Sequence, residues 1–255
     1  MRNRLFLILG FVTYLVFLCA YAPAQLLGSL VTHFGSEHIS LAAAQGSFWK
    51  GDAHLLLQAK SAEAESPLDI GLDIGKVAWD IQPLQLLTGK LAISLSWNDG
   101  APFWLTLDAS RAHVEHVTLN LPATVIQQLV PTLRAARLGG QLSLRCDNFS
   151  VTKKEMLGLV EIDWAQVTSP LSTLNPLGSY HARVEGVGEV LNINLNTVGD
   201  GPLLLQSSGR WSANNGASFE GTASAHPSAK GQLQDILRIM GNETSAGSGS
   251  YQIKF

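Results

Sequence analysis

Beyond residue 40 the chain alternates apolar and polar positions with a period of two. Leu91, Ile93, Leu95 and Trp97 interleave with Ala92, Ser94, Ser96 and Asn98. Leu191, Ile193 and Leu195 interleave with Asn192, Asn194 and Asn196. Val160, Ile162 and Trp164 interleave with Glu161, Asp163 and Ala165, and Leu142 and Leu144 alternate with Ser143 and Arg145. Successive strand side chains point to opposite faces, so each segment predicts a strand with one apolar and one wet face. That is the antiparallel pattern, not the two-sided apolar run of a buried parallel sheet. Gly, Asn and Asp at "NDG" (98–100), "GDG" (199–201) and "ANNG" (213–216) mark hairpin turns between such strands.

Two segments switch to helical spacing. Val125, Ile126, Leu129 and Val130 form an apolar stripe that predicts a helix over 122–136, with Pro122 as its first residue and Pro131 kinking or ending it. Leu233, Ile236, Leu237 and Met240 predict a second helix over 232–240, capped by Gly241. A short turn is expected over 83–88. The stretch 241–250 reads as a mobile loop, and "YQIKF" (251–255) as a last strand.

The N-terminus departs from both patterns. Leu5 to Ala22 is an uncharged run of 18 residues, flanked in front by Arg2 and Arg4, with no Lys or Arg behind it until Lys50. A run of this length reaches across a hydrocarbon core of about 30 Å. The charge asymmetry predicts a single transmembrane helix with a cytoplasmic N-terminus and everything after it on the far, periplasmic side of an inner membrane. A cleaved signal peptide is the rival reading, because "APA" before Gln25 resembles a cleavage site. The run exceeds the roughly 7–15 apolar residues usual there, and Pro23 crowds every nearby site, so the uncleaved anchor is expected.

The chain also resembles itself. "APAQLLGSLV" (22–31) is similar to "LPATVIQQLV" (121–130), and "WDIQPLQLLTGKLAISL" (79–95) to "WAQVTSPLSTLNPLGSYHARV" (164–184). "NDGAPFWLTL" (98–107) is similar to "GDGPLLLQSS" (199–208), and the C-terminal helix and strand read as a truncated third copy. The expected fold class is therefore mainly β. A transmembrane anchor (residues 1–24) precedes an antiparallel sheet built as two tandem units with short helices, over 25–120 and 121–255.

Composition narrows the function. Charged residues make up 15% of the chain, hydrophobic ones 46%, and the net charge is −3. Without a basic excess, nucleic acid is an unsuitable partner. Of the two cysteines, Cys19 lies in the apolar run and Cys146 far into the sheet, so no internal disulfide is expected. No nucleophile elbow, phosphate-binding loop or dinucleotide fingerprint occurs. His113 and His116 are three apart, which on a strand points them to opposite faces and prevents chelation of one ion. His33 and His38 lie just beyond the apolar run. Glu161 with Asp163, and Asp69 with Asp73, sit on wet strand faces rather than in the dry cleft that acid–base catalysis requires. The expectation is a protein that is not an enzyme and uses no metal or cofactor.

Several motifs together resemble protein N of the type II secretion system. The first is "GSFWKG", with Gly46, Trp49 and Gly51. The second is "WDIQPLQLLTGKL", with Trp79, Pro83, Leu84, Leu87 and Gly89. "LNPLGSY", with Pro176 and Gly178, the late "SGRW … FEGTASA" strand pair and the closing "LQDILRIMG" complete the set. Phe48 departs from the pattern, where an aliphatic residue is expected. The resemblance implies an inner-membrane accessory component of the machine that exports folded proteins. It implies partners among the other inner-membrane or periplasmic components, and signature residues that serve structure or partner contact. It also extends, more distantly, to envelope proteins built from repeated β-groove units. In that alternative, lipid or another amphiphile occupies an apolar groove where otherwise a closed core would form.

Overall fold

The computed structural model describes residues 6, 10, 11, 13, 14, 17, 18, 20–34, 39–57, 72–129, 137–244 and 249–254. Among the described residues the chain is mainly β, with 61% strand and few helices, and the pairing is antiparallel. It divides into two compact units, Met1–Pro102 and Phe103–Phe255.

In the first unit, helix α1 (Gln25–Phe34) precedes strands β1 (Ile39–Gly46), β2 (Lys50–Leu57) and β3 (Leu72–Ile81). Helix α2 (Pro83–Leu86) and strand β4 (Leu91–Trp97) follow. The strands pair in chain order as an antiparallel meander. After β4, Asn98 and Asp99 both take positive φ (49° and 56°), and the Gly100 N–H bonds back to the Trp97 carbonyl at 2.9 Å. That is the tight turn that "NDG" encodes, because Asn and Asp tolerate left-handed backbone. One face of the meander packs under α1. Ala24, Ala53, Trp79 and Ile81 are buried there, with Leu27, Leu41, Phe48, Trp49 and Leu91 around them.

In the second unit, β5 (Phe103–Leu107), β6 (Arg111–Pro122), helix α3 (Thr124–Leu129), β7 (Gly139–Thr152) and β8 (Met156–Thr168) come first. Strands β9 (Gly178–Gly188), β10 (Val190–Val198), β11 (Leu203–Ser212) and β12 (Gly216–Ala225) continue the meander. Helix α4 (Lys230–Met240), the two-residue β13 (Asn242–Glu243) and β14 (Ser250–Lys254) close the chain. Each strand from β5 to β12 lies beside its chain neighbour. Only the end breaks that order: β14 pairs with β12, and β13 lies outside β14.

The register sorts side chains into rows across this unit. Leu119, Leu144, Ile162, Ala182, Leu195, Ser207 and Gly221 stand opposite one another from β6 to β12. Val160, Val184, Ile193, Gly209 and Phe219 form a parallel row on the same face. The intervening row, on the other face, runs Thr118, Arg145, Glu161, Arg183, Asn194, Ser208 and Glu220. The period-two pattern thus separates an uncharged face from one on which Arg and Glu alternate, where opposite charges face each other across neighbouring strands. Glycines in these rows match aromatics opposite them: Phe149 faces Gly158, and Phe219 faces Gly209. A Cβ at Gly209 would collide with the Phe219 ring.

At one end of the uncharged face a core forms. Val167, Leu177, Tyr180, Leu203, Ala223, Ala225 and Tyr251 are buried there with Ala229, Leu233 and Leu237 of the α4 segment. Farther along, Leu119, Leu144, Ile162, Ala182 and Leu195 are only half-buried.

Several expectations are corrected. Pro122 is the last residue of β6, paired with Gln141, and not the first residue of a helix. Helix α3 starts at Thr124, after the buried Ala123, because the ladder holds the chain extended through Pro122. The rest of the predicted 122–136 helix, from 130 on, lies outside the described residues. Helix α4 begins at Lys230, two residues earlier than its apolar stripe indicated. Gly241 caps it with extended backbone (φ −179°) rather than the left-handed turn, its N–H bonding to Leu237 O. Within 241–250, Asn242–Glu243 form a strand against β14, so that stretch is not wholly loop. Most of the predicted Leu5–Ala22 span lies outside the described residues, as do His38, Asp69 and Cys19. Among the described residues no helix is long and apolar enough to cross a membrane.

Candidate functional site

Seven of the nine signature residues belong to the first unit; Gly46, Trp49, Gly51 and Trp79 meet at the turn between β1 and β2, and Pro83, Leu87 and Gly89 lie in the turn that follows β3. Gly46 ends β1 with φ +90°, and a Cβ there would sit 2.6 Å from the Lys50 carbonyl. Only glycine fits a left-handed position in such close contact. Ser47 closes the turn: its N–H donates to Lys50 O at 2.8 Å, and its hydroxyl accepts from the Lys50 N–H at 3.1 Å. Trp49 packs edge-on against Phe48, ring centres 5.1 Å apart. Gly51 stands opposite Trp79 in the β2–β3 ladder. The Trp79 indole is 4% exposed and donates from Nε1 to the Phe48 carbonyl at 3.1 Å.

The same turn holds both ends of the neighbouring chain. The Phe48 N–H donates to Ala22 O at 2.7 Å, and the Ala24 N–H to Gly46 O at 3.3 Å. On the other side the Ile81 N–H donates to Trp49 O at 2.6 Å. Two residues on, Pro83 opens α2, where its missing N–H costs nothing. Leu84, Leu86 and Leu87 are exposed. Gly89 ends the turn with φ +76°, its N–H on Leu86 O at 3.0 Å.

The other two signature residues lie in the second unit, at the corner between β8 and β9. Asn175 clamps that corner. Its Oδ1 accepts from the Ser169 N–H at 3.0 Å, and its Nδ2 donates to the carbonyls of Ser172 (3.1 Å) and Ser169 (3.4 Å). Pro176 follows, and Leu177 bridges two strands, donating to Val167 O and accepting from Leu203 N–H. Gly178 lets the backbones close, for a Cβ on the facing Gly201 would sit 2.7 Å from its Cα. Beneath, the buried Tyr180 hydroxyl donates to Leu203 O at 3.0 Å. Burial alone pushes that phenol well above its ordinary value. Leu174, Asn175, Pro176, Gly178, Val198 and Asp200 line a recess at this corner.

The β1–β2 corner shares a wiring plan, one that no single motif announced, with a second place, where β6 passes through α3 to β7. In the first, Ala24 N–H bonds to Gly46 O, and Trp79 Nε1 to Phe48 O. In the second, Ala123 N–H bonds to Gly140 O at 3.1 Å, and Trp164 Nε1 to Gly139 O at 3.2 Å. Gly46 and Gly140 both have positive φ, and Ala24 and Ala123 are both buried immediately before a helix. The signal was present in sequence as a Pro-Ala pair ahead of each helix, Pro23–Ala24 and Pro122–Ala123.

The titratable groups are arranged for solvation and pairing. His181 Nδ1 lies 2.8 Å from Asp163, His54 Nδ1 2.9 Å from Asp73, and His113 Nε2 2.9 Å from Glu115. The expected carboxylate pair Glu161/Asp163 is thus divided: Asp163 faces His181, and Glu161 stands between Arg145 and Arg183 in the charged row. His116 has φ +56° and is exposed, whereas His113 is part-buried. Among the described residues no group of three His, Cys, Asp or Glu side chains is placed to hold a metal ion. Cys146 is a buried free thiol, raised above its ordinary value by desolvation and then by Asp147.

The sequence profile described as "Type II secretion system (T2SS), protein N" matches residues 37–254, from the start of β1 to the end of β14. No curated protein and no solved structure matches the chain significantly. Protein N is an assembly component of its machine and not a known enzyme. The match covers most of the chain and contains both signature corners, so the chain belongs to the protein N family and is a component of a type II secretion system.

Proposed function

We propose that the chain is an accessory or assembly component anchored in the inner membrane by its N-terminal run. It works through protein–protein contacts in the periplasm. Family membership carries the reading. The uncharged run behind Arg2 and Arg4 supports the anchor. Where that segment is described, Phe6, Phe11, Tyr14, Phe17 and Leu18 are exposed, as lipid-facing side chains would be. The row of Arg145, Glu161, Arg183 and Glu220 supplies a charged face suited to specific, salt-sensitive contact with another protein. The domain boundaries at residues 24 and 120, with two tandem units, belong to the same proposal, and the wiring shared by the β1–β2 corner and the passage from β6 through α3 to β7 supports the repeat.

The test is complementation of a deletion strain. The anchored chain should restore export, and a form released before Gln25 should restore it poorly, because tethering raises local concentration. A periplasmic reporter fused after Phe255 should be active. Full export by the released form, or a mature protein beginning at Gln25, would overturn the anchored reading.

A second reading is favoured by one observation. The row through Ile162 carries no charge across seven strands, about 30 Å at strand spacing, the row through Val184 none across five, and their residues stay half-buried. Such a face suits an acyl chain or another amphiphile. Organic extraction of the protein purified from membranes should then release stoichiometric lipid, and an extract without lipid rejects this reading.

A further inference from the structure

We infer that the leucine turn at α2 is a second membrane contact, dipping into the bilayer surface beside the anchor. The inference rests on the anchored reading above. Leu84 is 77% exposed, Leu86 44% and Leu87 85%, all within four residues. Single exposed leucines are ordinary, but three on one projecting turn make an apolar knob.

Several polar groups of the turn bond within it or to the neighbouring strand. Gln85 Nε2 donates to Gln82 Oε1 at 2.6 Å, and the Thr88 hydroxyl donates to Gln85 O at 2.7 Å. Gln82 N–H bonds to Ala92 O, and Lys90 N–H to Gln85 O. The three leucine side chains stay outward. From Ile81 to Gly89 there is no charged residue, and Lys90 follows immediately, a cation that suits anionic headgroups. A turn closed upon its own hydrogen bonds loses little when it leaves water.

Position argues for lipid over a protein partner. The Ser47–Lys50 turn binds the chain on both sides: Phe48 holds Ala22, where the apolar run ends, and Trp49 holds Ile81, where α2 is about to begin. Paired and adjacent Cα spacings put Ile81 within about 15 Å of Ala22. The knob therefore projects from the strand end that receives the anchor. If Ala22 is at the membrane surface, Leu84 and Leu87 lie within reach of the headgroup layer. Trp49 and Phe48 occupy the same turn, and aromatic side chains are favoured at that depth.

The test uses the full chain in vesicles of phosphatidylethanolamine and phosphatidylglycerol, with Cys19→Ala and Cys146→Ala to remove the native thiols. An environment-sensitive fluorophore is attached in turn at Leu84→Cys, Leu87→Cys, Phe11→Cys and Ala101→Cys. Ala101 is exposed beyond the far end of β4, about 20 Å along the strand from the knob. We expect the labels at 84 and 87 to shift to the blue and to be quenched by lipid spin-labelled near the headgroup. The label at 11 should be quenched by deep spin labels, and the label at 101 only by aqueous iodide. If position 11 is quenched in lipid while 84 and 87 behave like 101, the knob is not a membrane contact. If 84 and 87 become protected only when other secretion components are co-reconstituted, the knob is a protein contact and the inference is likewise overturned. If position 11 also stays aqueous, the anchored reading itself fails and carries this one with it.

Discussion

The Trp79 indole lies over Gly51, its partner across the β2–β3 ladder, with a Cβ on Gly51 falling 2.7 Å from Trp79 Cζ2. The absence of a side chain at 51 is what lets the indole reach the Phe48 carbonyl. Gly51→Ala should therefore act like a mutation of Trp79. Trp79→Ala should cost roughly 3–5 kcal/mol, and Gly51→Ala should be severe despite adding one methyl, because Gln45 O also blocks the new Cβ. Urea unfolding of the two variants reads this out. A Gly51→Ala protein with wild-type stability would show that the indole is not pinned there.

The buried phenol of Tyr180 offers a pH-dependent check. In the unfolded chain it loses its proton near pH 10, its ordinary value, whereas the folded protein holds the proton to higher pH. The unfolded state then binds fewer protons, so stability should fall as pH rises above 10. Tyr180→Phe should remove that part of the slope. At neutral pH it should cost about 1–3 kcal/mol by leaving the Leu203 carbonyl without its partner. Parallel stability curves for both proteins above pH 10 would contradict the assignment.

Cys146 should be inert while the protein is folded. It is 4% exposed, and desolvation with the neighbouring Asp147 disfavours its thiolate. A maleimide at pH 8 should label it only after denaturant is added, and the rate should track global unfolding. Rapid labelling of the native protein would mean that β7 opens locally.

The two faces of the second unit should answer differently to charge. Glu161→Ala lies in the row shared with Arg145 and Arg183 and should change stability by less than about 1 kcal/mol, as exposed pairs do. Ile162→Asp, one residue along, places a carboxylate in the uncharged row beside Leu144 and Ala182. Thermal melts should separate them, with Ile162→Asp several degrees lower. Equal melting temperatures would mean that the uncharged face is as wet as its opposite.

How far the fold could be read from sequence differed by element. The strands were legible because each keeps its own apolar and polar faces: Val160, Ile162 and Trp164 against Glu161 and Asp163 need no neighbour to reveal their period. The turn at Asn98–Asp99 was legible for the same local reason. Helix α3 was misplaced because Pro122 is an equally good helix start and edge residue, and only the Gln141 pairing decides between them. β13 was missed because two residues carry no periodicity; their partner Tyr251 lies eight residues on. At the signature corners, Gly51 and Trp79 could be singled out, but not their contact, since 28 residues separate them. The exposure of Leu84 and Leu86 was invisible too, because "PLQLL" reads equally well as a buried turn.

The connectivity of the second unit has a consequence for how the protein is made. From β6 to β12 every strand finds its partner in the segment synthesised just before it. A chain delivered N-terminus first can therefore zip up as it arrives, with no long loop to close. β12 is the exception: its second edge waits until α4 has passed and β14 comes back to it. Until then that edge offers unpaired backbone to any passing strand. The return of β14 thus ends the period of aggregation risk, and a nascent chain stalled before Ser250 should be far stickier than one in which β14 has paired with β12.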